Sequence, residues 1–259
     1  MPSDQAEIPQ TLAKMPDEPY LPWATGPGEI LRHGLELLEN DTDTNRRLAM
    51  ISIDNAVELM IKTFLGLPKR VSGITITRKA YQEMAESFPK LLDGLEKHAP
   101  NKLDGIDLGT IEWYHRLRNE LYHQGNGLTV EREKVDVYAQ IANLLFKNLY
   151  RYELIHPTNR KSDLLGQFMG EWVHFESALR DYAATHELEA ETHQSMIRFI
   201  EFWEGADLLS AQDRRELDHL RKLRNEIVHG MSDYREVLST DVVERLRRLI
   251  SKIFPEADA

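Results

Sequence analysis

An arginine, an asparagine and a histidine recur in this sequence at a spacing that would group them on one patch of a helix. The segment HRLRNELYHQG contains Arg118, Asn119 and His123. Residues four apart share a helix face, which places Asn119 beside His123. The long guanidinium side chain of Arg118 can reach the same patch. A glycine follows the histidine closely, so the partial negative charge of the helix end favours the imidazolium form.

The same pattern occurs a second time. The segment LRKLRNEIVHG contains Arg224, Asn225 and His229, and each of these residues lies 106 positions after its counterpart. In both segments a short loop and a last amphipathic helix follow the glycine. A repeat of that length predicts two copies of a domain-sized helical unit rather than a solenoid.

A cation, a titratable base and an amide are the groups that RNA cleavage by internal attack requires. A histidine can take the proton of a ribose 2′-hydroxyl as that oxygen attacks the adjacent phosphorus. A guanidinium can hold the developing phosphoryl charge without a metal ion. The expected product is a 2′,3′-cyclic phosphate, and DNA, which lacks the 2′-hydroxyl, should not react.

The rest of the chain predicts an all-helical fold. Apolar residues between Leu48 and Leu65 follow helical spacing, and Gly66 and Pro68 end that run. The further predicted helices cover about 77–98, 108–124, 129–154 with Thr129 as the N-cap, 164–186, 191–203, 212–229 and 241–254. The only strand candidate is VSGITIT, around Val71.

Two stretches interrupt the helical pattern and divide the chain. Residues 1–27 hold six prolines, which predicts a flexible, extended arm. The polar segment 155–163 contains a proline and is predicted to link two helical domains, 28–154 and 164–259.

Composition narrows the classes of protein that fit. The 259 residues carry a net charge of −11, which weighs against extended wrapping of a nucleic acid but not against a small site for one phosphate. The absence of cysteine excludes disulfides and thiolate metal sites. We find no apolar run of membrane-spanning length and no leader segment, and so expect a cytoplasmic protein.

Both signatures resemble those of the HEPN superfamily (higher eukaryotes and prokaryotes nucleotide-binding), in which an arginine, a polar residue and a histidine follow one another on a helix. The segment NAVELMIKTFL resembles the helix that precedes the signature, and FESALRDYA resembles its counterpart in the second half. The resemblance covers both helical halves but not the proline-rich arm. It implies two tandem HEPN-like bundles that act as a metal-independent endoribonuclease with RNA as substrate.

The resemblance further implies a defence or toxin effector that is controlled by a regulatory or antitoxin protein. In that family two units pair so that both signatures line one cleft. The sequence does not decide whether the pair forms within one chain or in a homodimer. The resemblance assigns the catalytic roles to Arg118, Asn119, His123, Arg224, Asn225 and His229.

Weaker signals leave other readings open. Arg116, Arg221 and Lys222 could steer RNA phosphates, although such residues usually form a solvated helix face. His115 and His219 lie on the motif helices outside the signature and are predicted to be solvated or interface residues. No residue pattern predicts a metal site or a cofactor; His186 and His193 lack the spacing of zinc ligands.

The alternatives to an enzyme are a catalytically silent HEPN module that binds a nucleotide or a partner protein, and a plain helical scaffold.

Overall fold

A computed structural model describes residues 21–123, 129–152, 154, 160–185 and 210–254. Across these residues the protein consists of helices and connecting turns, with no strand, which confirms the predicted all-α fold. The expected helix 191–203 and the pair His186 and His193 lie outside the described residues, as does most of the proline-rich arm.

Eleven α-helices and one short 3-10 turn make up the described structure. The first part contains α1 (Pro22–Glu39), α2 (Asp43–Gly66), α3 (Lys69–Ser72), α4 (Arg78–Met84), α5 (Phe88–His98), the 3-10 turn Pro100–Lys102, α6 (Leu108–His123) and α7 (Arg132–Tyr150). The second part contains α8 (Arg160–Thr185), α9 (Ala211–Val228), α10 (Tyr234–Val237) and α11 (Thr240–Ile253).

Both stretches that were predicted to lack structure are partly helical. Helix α1 begins at Pro22, inside the expected arm 1–27, because a proline at the first helical position has no amide hydrogen to leave unpaired. Pro27 also lies within this helix, where it is buried with Ala24. Helix α8 begins at Arg160, inside the expected linker 155–163.

Three local expectations differ from the structure. The predicted helix 77–98 is two helices, because α4 ends before Ser87 and Pro89 begins a new first turn in α5. Helix α7 starts at Arg132, so Thr129 is not its N-cap. The strand candidate around Val71 falls instead on the short helix α3, which Gly73 ends in a left-handed conformation.

One buried apolar cluster extends through both halves of the chain. Helix α2 packs against α1, α5, α6 and α7, while α8 packs against α7 and α11. The largest fully buried side chains come from both halves and include Tyr114, Tyr138, Trp172, Phe175 and Tyr234. Among the described residues, no helix is long and apolar enough to cross a membrane.

Candidate functional site

The first signature is built around a carboxylate that is buried in α2. The side chain of Asp54 is fully buried, and Arg118 donates from Nε to its Oδ2 over 2.6 Å. The Nδ1 atom of His115 lies 3.0 Å from the same oxygen, and the hydroxyl of Tyr138 donates to Oδ1 over 2.8 Å. Asp54 therefore joins α2, α6 and α7 at one point.

Of the two alternatives predicted for His115, a solvated or an interface residue, the structure favours the second, at an interface between helices. Its ring stacks on Phe88 at a centroid distance of 4.0 Å, and its side chain is only 15% exposed. Because its Nδ1 contacts a buried carboxylate, the ring is held between α2 and α5. Its position three residues before Arg118 puts both side chains on the face of α6 that meets α2.

The remaining nitrogens of Arg118 contact the signature and α2. Nη1 donates to Oδ1 of Asn119 over 2.9 Å, whereas Nη2 has a long contact of 3.4 Å with Asn55 and lies 3.8 Å from Glu58. Arg118 is 15% exposed, so its charge is largely enclosed. The side chain of His123, at the end of α6, lies outside the described residues.

The buried carboxylate also changes the acidity of its neighbours. Burial and, next to it, the negative charge of Asp54 raise the pKa of Tyr138 well above its ordinary value. Burial likewise raises the pKa of Tyr114, whose ring stacks on Tyr138 at 4.4 Å. Both phenols therefore stay neutral at physiological pH and act as hydrogen-bond donors.

The second signature forms the end of α9. Ser210 caps the start of this helix, and Gly230 ends it with a φ of 63° just after His229, as the sequence pattern predicts. Nη1 of Arg224 lies 3.4 Å from Oδ1 of Asn225, and Nη2 donates to the carbonyl of Gly105 over 3.1 Å. The Nε atom of Arg224 is buried without a hydrogen-bond partner.

Gly105 is held from both sides by the second half of the chain. Its amide donates to Oε2 of Glu176 over 2.7 Å, while its carbonyl accepts from Arg224. Its φ is 70°, and a Cβ atom would lie 2.5 Å from Cγ2 of Val173. A glycine is required here, because the backbone is left-handed and no room remains for a side chain.

The second signature also contacts the helix that carries the first. The rings of Trp113 and His229 meet edge to face at 6.5 Å, and the hydroxyl of Tyr114 donates to the carbonyl of Val228 over 3.1 Å. Trp113 and Arg118 are five positions apart and so project from different sides of α6. The structure therefore brings His229 to α6, but on a different side from the guanidinium of Arg118.

The chain was compared with protein-family models, curated proteins and solved structures. None of them matches. The geometry of the two signatures is accordingly the basis for any functional assignment.

A second polar cluster fixes the segment that follows His229. Asp136 of α7 accepts hydrogen bonds from Arg132, from the hydroxyl of Tyr234 at 3.1 Å and from Nη2 of Arg235 at 2.8 Å. Arg235 also pairs with Glu133. Burial and the charge of Asp136 raise the pKa of Tyr234 to about 12. This cluster ties the short helix α10, which follows the second signature, to the first half.

Each of the three residues predicted to steer phosphates has an acidic neighbour. Arg116 pairs with Glu112, Arg221 lies 3.1 Å from Asp218, and Lys222 lies 3.9 Å from that same aspartate. These are exposed or half-exposed pairs within one helix, which are individually weak. The assignment of these residues as phosphate-steering groups stays a prediction.

Sequence reasoning did not single out Asp54, Glu176 or Asp136. Asp54 directly precedes the segment NAVELMIKTFL, and Glu176 is the second residue of FESALRDYA, the segment that resembles its counterpart. An acidic residue within an otherwise apolar helix face was the available signal, because such a group is rarely buried unless it is paired. Asp136 shows the same signal in VDVYAQI.

Proposed function

We propose that this protein is a metal-independent endoribonuclease of the HEPN type, which cleaves RNA by attack of a 2′-hydroxyl on the adjacent phosphorus. The signature residues supply the chemistry: histidines for proton transfer, a guanidinium for the phosphoryl charge and amides to orient these groups. The proposed setting is a defence or toxin effector in the cytoplasm, held in check by a regulatory or antitoxin partner.

One observation carries the proposal. The second signature ends against the helix that carries the first, through His229 on Trp113 and Val228 on Tyr114. A lone signature offers one histidine, whereas transesterification is best served by a base for the 2′-hydroxyl and an acid for the leaving 5′-oxygen. Contact between the two motif helices supports a composite site formed within one chain.

The alternative is a catalytically silent HEPN module that binds a nucleotide or a protein. One observation favours it: Arg118 already contacts a fully buried carboxylate, so its charge is compensated before any RNA arrives. Under this alternative the first signature has a structural role, and the protein should bind ligands without cutting RNA.

The test is an RNA-cleavage assay with the purified full chain. We expect cleavage in excess EDTA, with 2′,3′-cyclic phosphate and 5′-hydroxyl ends, because the mechanism uses side chains alone. An RNA with 2′-deoxy residues is the matched substrate control and should not be cut. Activity that disappears on chelation and returns with magnesium or manganese would rule out this mechanism, and binding without cleavage would support the silent module.

A further inference from the structure

The two signature arginines differ in the charge of the groups that they contact. Arg118 donates to Asp54 over 2.6 Å, and that carboxylate is fully buried. Arg224 occupies the matching position in the second half, where its partners are the carbonyl of Gly105 and the amide oxygen of Asn225. Both of these partners are neutral, and within the described part of the chain Arg224 forms no ion pair.

In the second half, the backbone of Gly105 lies between a carboxylate and the signature arginine. Asp54 lies beside NAVELMIKTFL and Glu176 lies in its counterpart FESALRDYA, so a direct pair between Glu176 and Arg224 would be the equivalent of the pair between Asp54 and Arg118. Instead Glu176 accepts the amide of Gly105, and Arg224 donates to the carbonyl of the same residue. The carboxylate and the guanidinium of the second half thus bind the amide and the carbonyl of Gly105, in two successive peptide groups, rather than each other.

The two environments have opposite consequences for an anionic ligand. A phosphate that approached Arg118 would compete with a buried aspartate, and removing that contact would leave an uncompensated buried charge. At Arg224, a phosphate would replace one neutral hydrogen bond of 3.1 Å and a weaker contact of 3.4 Å. The buried, unpaired Nε of Arg224 also shows that its hydrogen-bonding capacity is not used up in this state.

From this contrast we infer that the composite site is asymmetric: Arg224 binds the scissile phosphate, whereas Arg118, paired with Asp54, is a positioning residue for α6. The inference rests on the proposed function and assigns different roles to two residues that the sequence pattern treats as equal. The ligand class is the phosphodiester of single-stranded RNA, and charge-assisted hydrogen bonds to a guanidinium provide the recognition.

The experiment measures binding separately from cleavage. The probe is a single-stranded RNA oligonucleotide with 2′-fluoro groups, which lacks the attacking hydroxyl, and its Kd is measured by fluorescence anisotropy over a range of salt concentrations. Arg224→Gln should raise the Kd about tenfold and reduce the salt dependence by about 0.7 in the slope of log K against log salt, the effect of losing one phosphate contact on a single strand.

The comparison variant removes the first pair without leaving a buried charge. In the double variant Asp54→Asn/Arg118→Gln both members become neutral, so the fold has the best chance of being preserved. Its Kd should stay within about twofold of wild type with an unchanged salt slope. Arg70→Gln, an exposed arginine on α3, controls for the loss of one surface charge and should behave like wild type.

The outcomes separate this inference from the proposed function. If the double variant loses as much salt slope as Arg224→Gln, Arg118 also contacts phosphate and the asymmetry is wrong. If Arg224→Gln binds like wild type, Arg224 is not the phosphate ligand. If wild type binds the probe with the expected pattern but does not cut RNA, the asymmetry stands and the ribonuclease proposal fails. If the double variant does not fold, Arg118→Lys and Arg224→Lys decide, because both keep the positive charge: a larger rise in Kd for Arg224→Lys supports the asymmetry, and an equal rise contradicts it.

Discussion

The hydroxyl of Tyr114 donates a hydrogen bond of 3.1 Å to the carbonyl of Val228, and so links the helices of the two signatures across 114 positions of sequence. Both residues are buried, and His229 follows directly on the accepting carbonyl. Because a buried carbonyl at a helix end needs a donor, this bond sets where the second signature ends relative to the first. Because this bond fixes the residue next to His229, it bears on the role of the signature histidines.

Replacement of either signature histidine should stop cleavage without unfolding the protein. We expect His123→Ala and His229→Ala each to lower the cleavage rate by roughly 10²–10⁴-fold, the usual contribution of general acid–base catalysis. Circular dichroism should show unchanged helicity. His219→Ala, an exposed histidine on α9 outside the signature, is the matched control and should keep wild-type activity. Variants that unfold would identify these histidines as structural.

The two histidines should act as a unit. In a composite site the double variant His123→Ala/His229→Ala should be barely worse than either single variant, because catalytic residues that act together are not additive. Mixing the two single variants tests where pairing occurs. Pairing within one chain predicts no recovery, and restored activity would require sites formed between two chains. Single variants that each keep about half of the activity would show independent sites.

Asp54 should be among the most sensitive polar positions in the chain. Asp54→Ala removes a buried charge that holds Arg118, His115 and Tyr138, and breaking a buried pair costs about 3–5 kcal/mol of unfolding free energy. Tyr138→Phe removes only one neutral donor from the same carboxylate and should cost about 1 kcal/mol. Urea denaturation of both variants measures the difference; equal losses would show that the ion pair contributes no more than the phenol.

Gly73 and Gly105 both have a left-handed backbone conformation, so alanine at each gives a matched pair of variants. At Gly73, where φ is 79° and a Cβ atom would meet nothing, replacement by alanine should cost about 1 kcal/mol from backbone strain. At Gly105 an alanine would also overlap Val173, which raises the expected cost to about 2–4 kcal/mol. Thermal denaturation checks this order. Gly105→Ala should also reduce RNA cleavage, because it displaces the carbonyl that holds Arg224.

Alkaline conditions should weaken the junction between the halves. Tyr234 has a pKa of about 12 in the folded protein, against an ordinary value of 10.0. Since the folded state holds this proton more tightly, its contribution to stability is complete below pH 10 and is lost as the pH rises towards 12. Tyr234→Phe should therefore lose less stability than wild type between pH 10 and 12, as measured by chemical denaturation at each pH. Parallel curves would contradict this assignment.

The sequence predicted the elements of the fold better than their ends. Helical spacing identified α6, α9 and α11 within one residue at each end, because each has an apolar face and a clear start or stop signal. The length of the arm was overestimated because a high density of prolines was taken to exclude a helix. Pro22, however, occupies the first position of α1, where a proline is well tolerated. Helix α7 starts later than Thr129 because Glu131 takes the N-cap position.

The site was predictable only in part. Spacing placed Arg118, Asn119, Arg224 and Asn225 on helices, but it could not show that the two arginines meet different partners. That difference depends on Gly105, which is 119 positions from Arg224 and approaches it only in the folded chain. Long-range contacts of this kind leave no periodic trace in a single sequence, so the asymmetry becomes visible only in the structure.

The hydrogen bond between Tyr114 and Val228 also has a consequence for the timing of synthesis. At about 5–20 residues per second, a ribosome needs roughly 6–23 s to travel the 114 positions between them. For most of that interval Tyr114 and Gly105 have been made, but Val228 and Arg224, their partners in the second signature, have not. A nascent chain therefore cannot assemble both signatures until the second one has been translated; under the proposed ribonuclease function, this delay would protect the ribosome's own RNA.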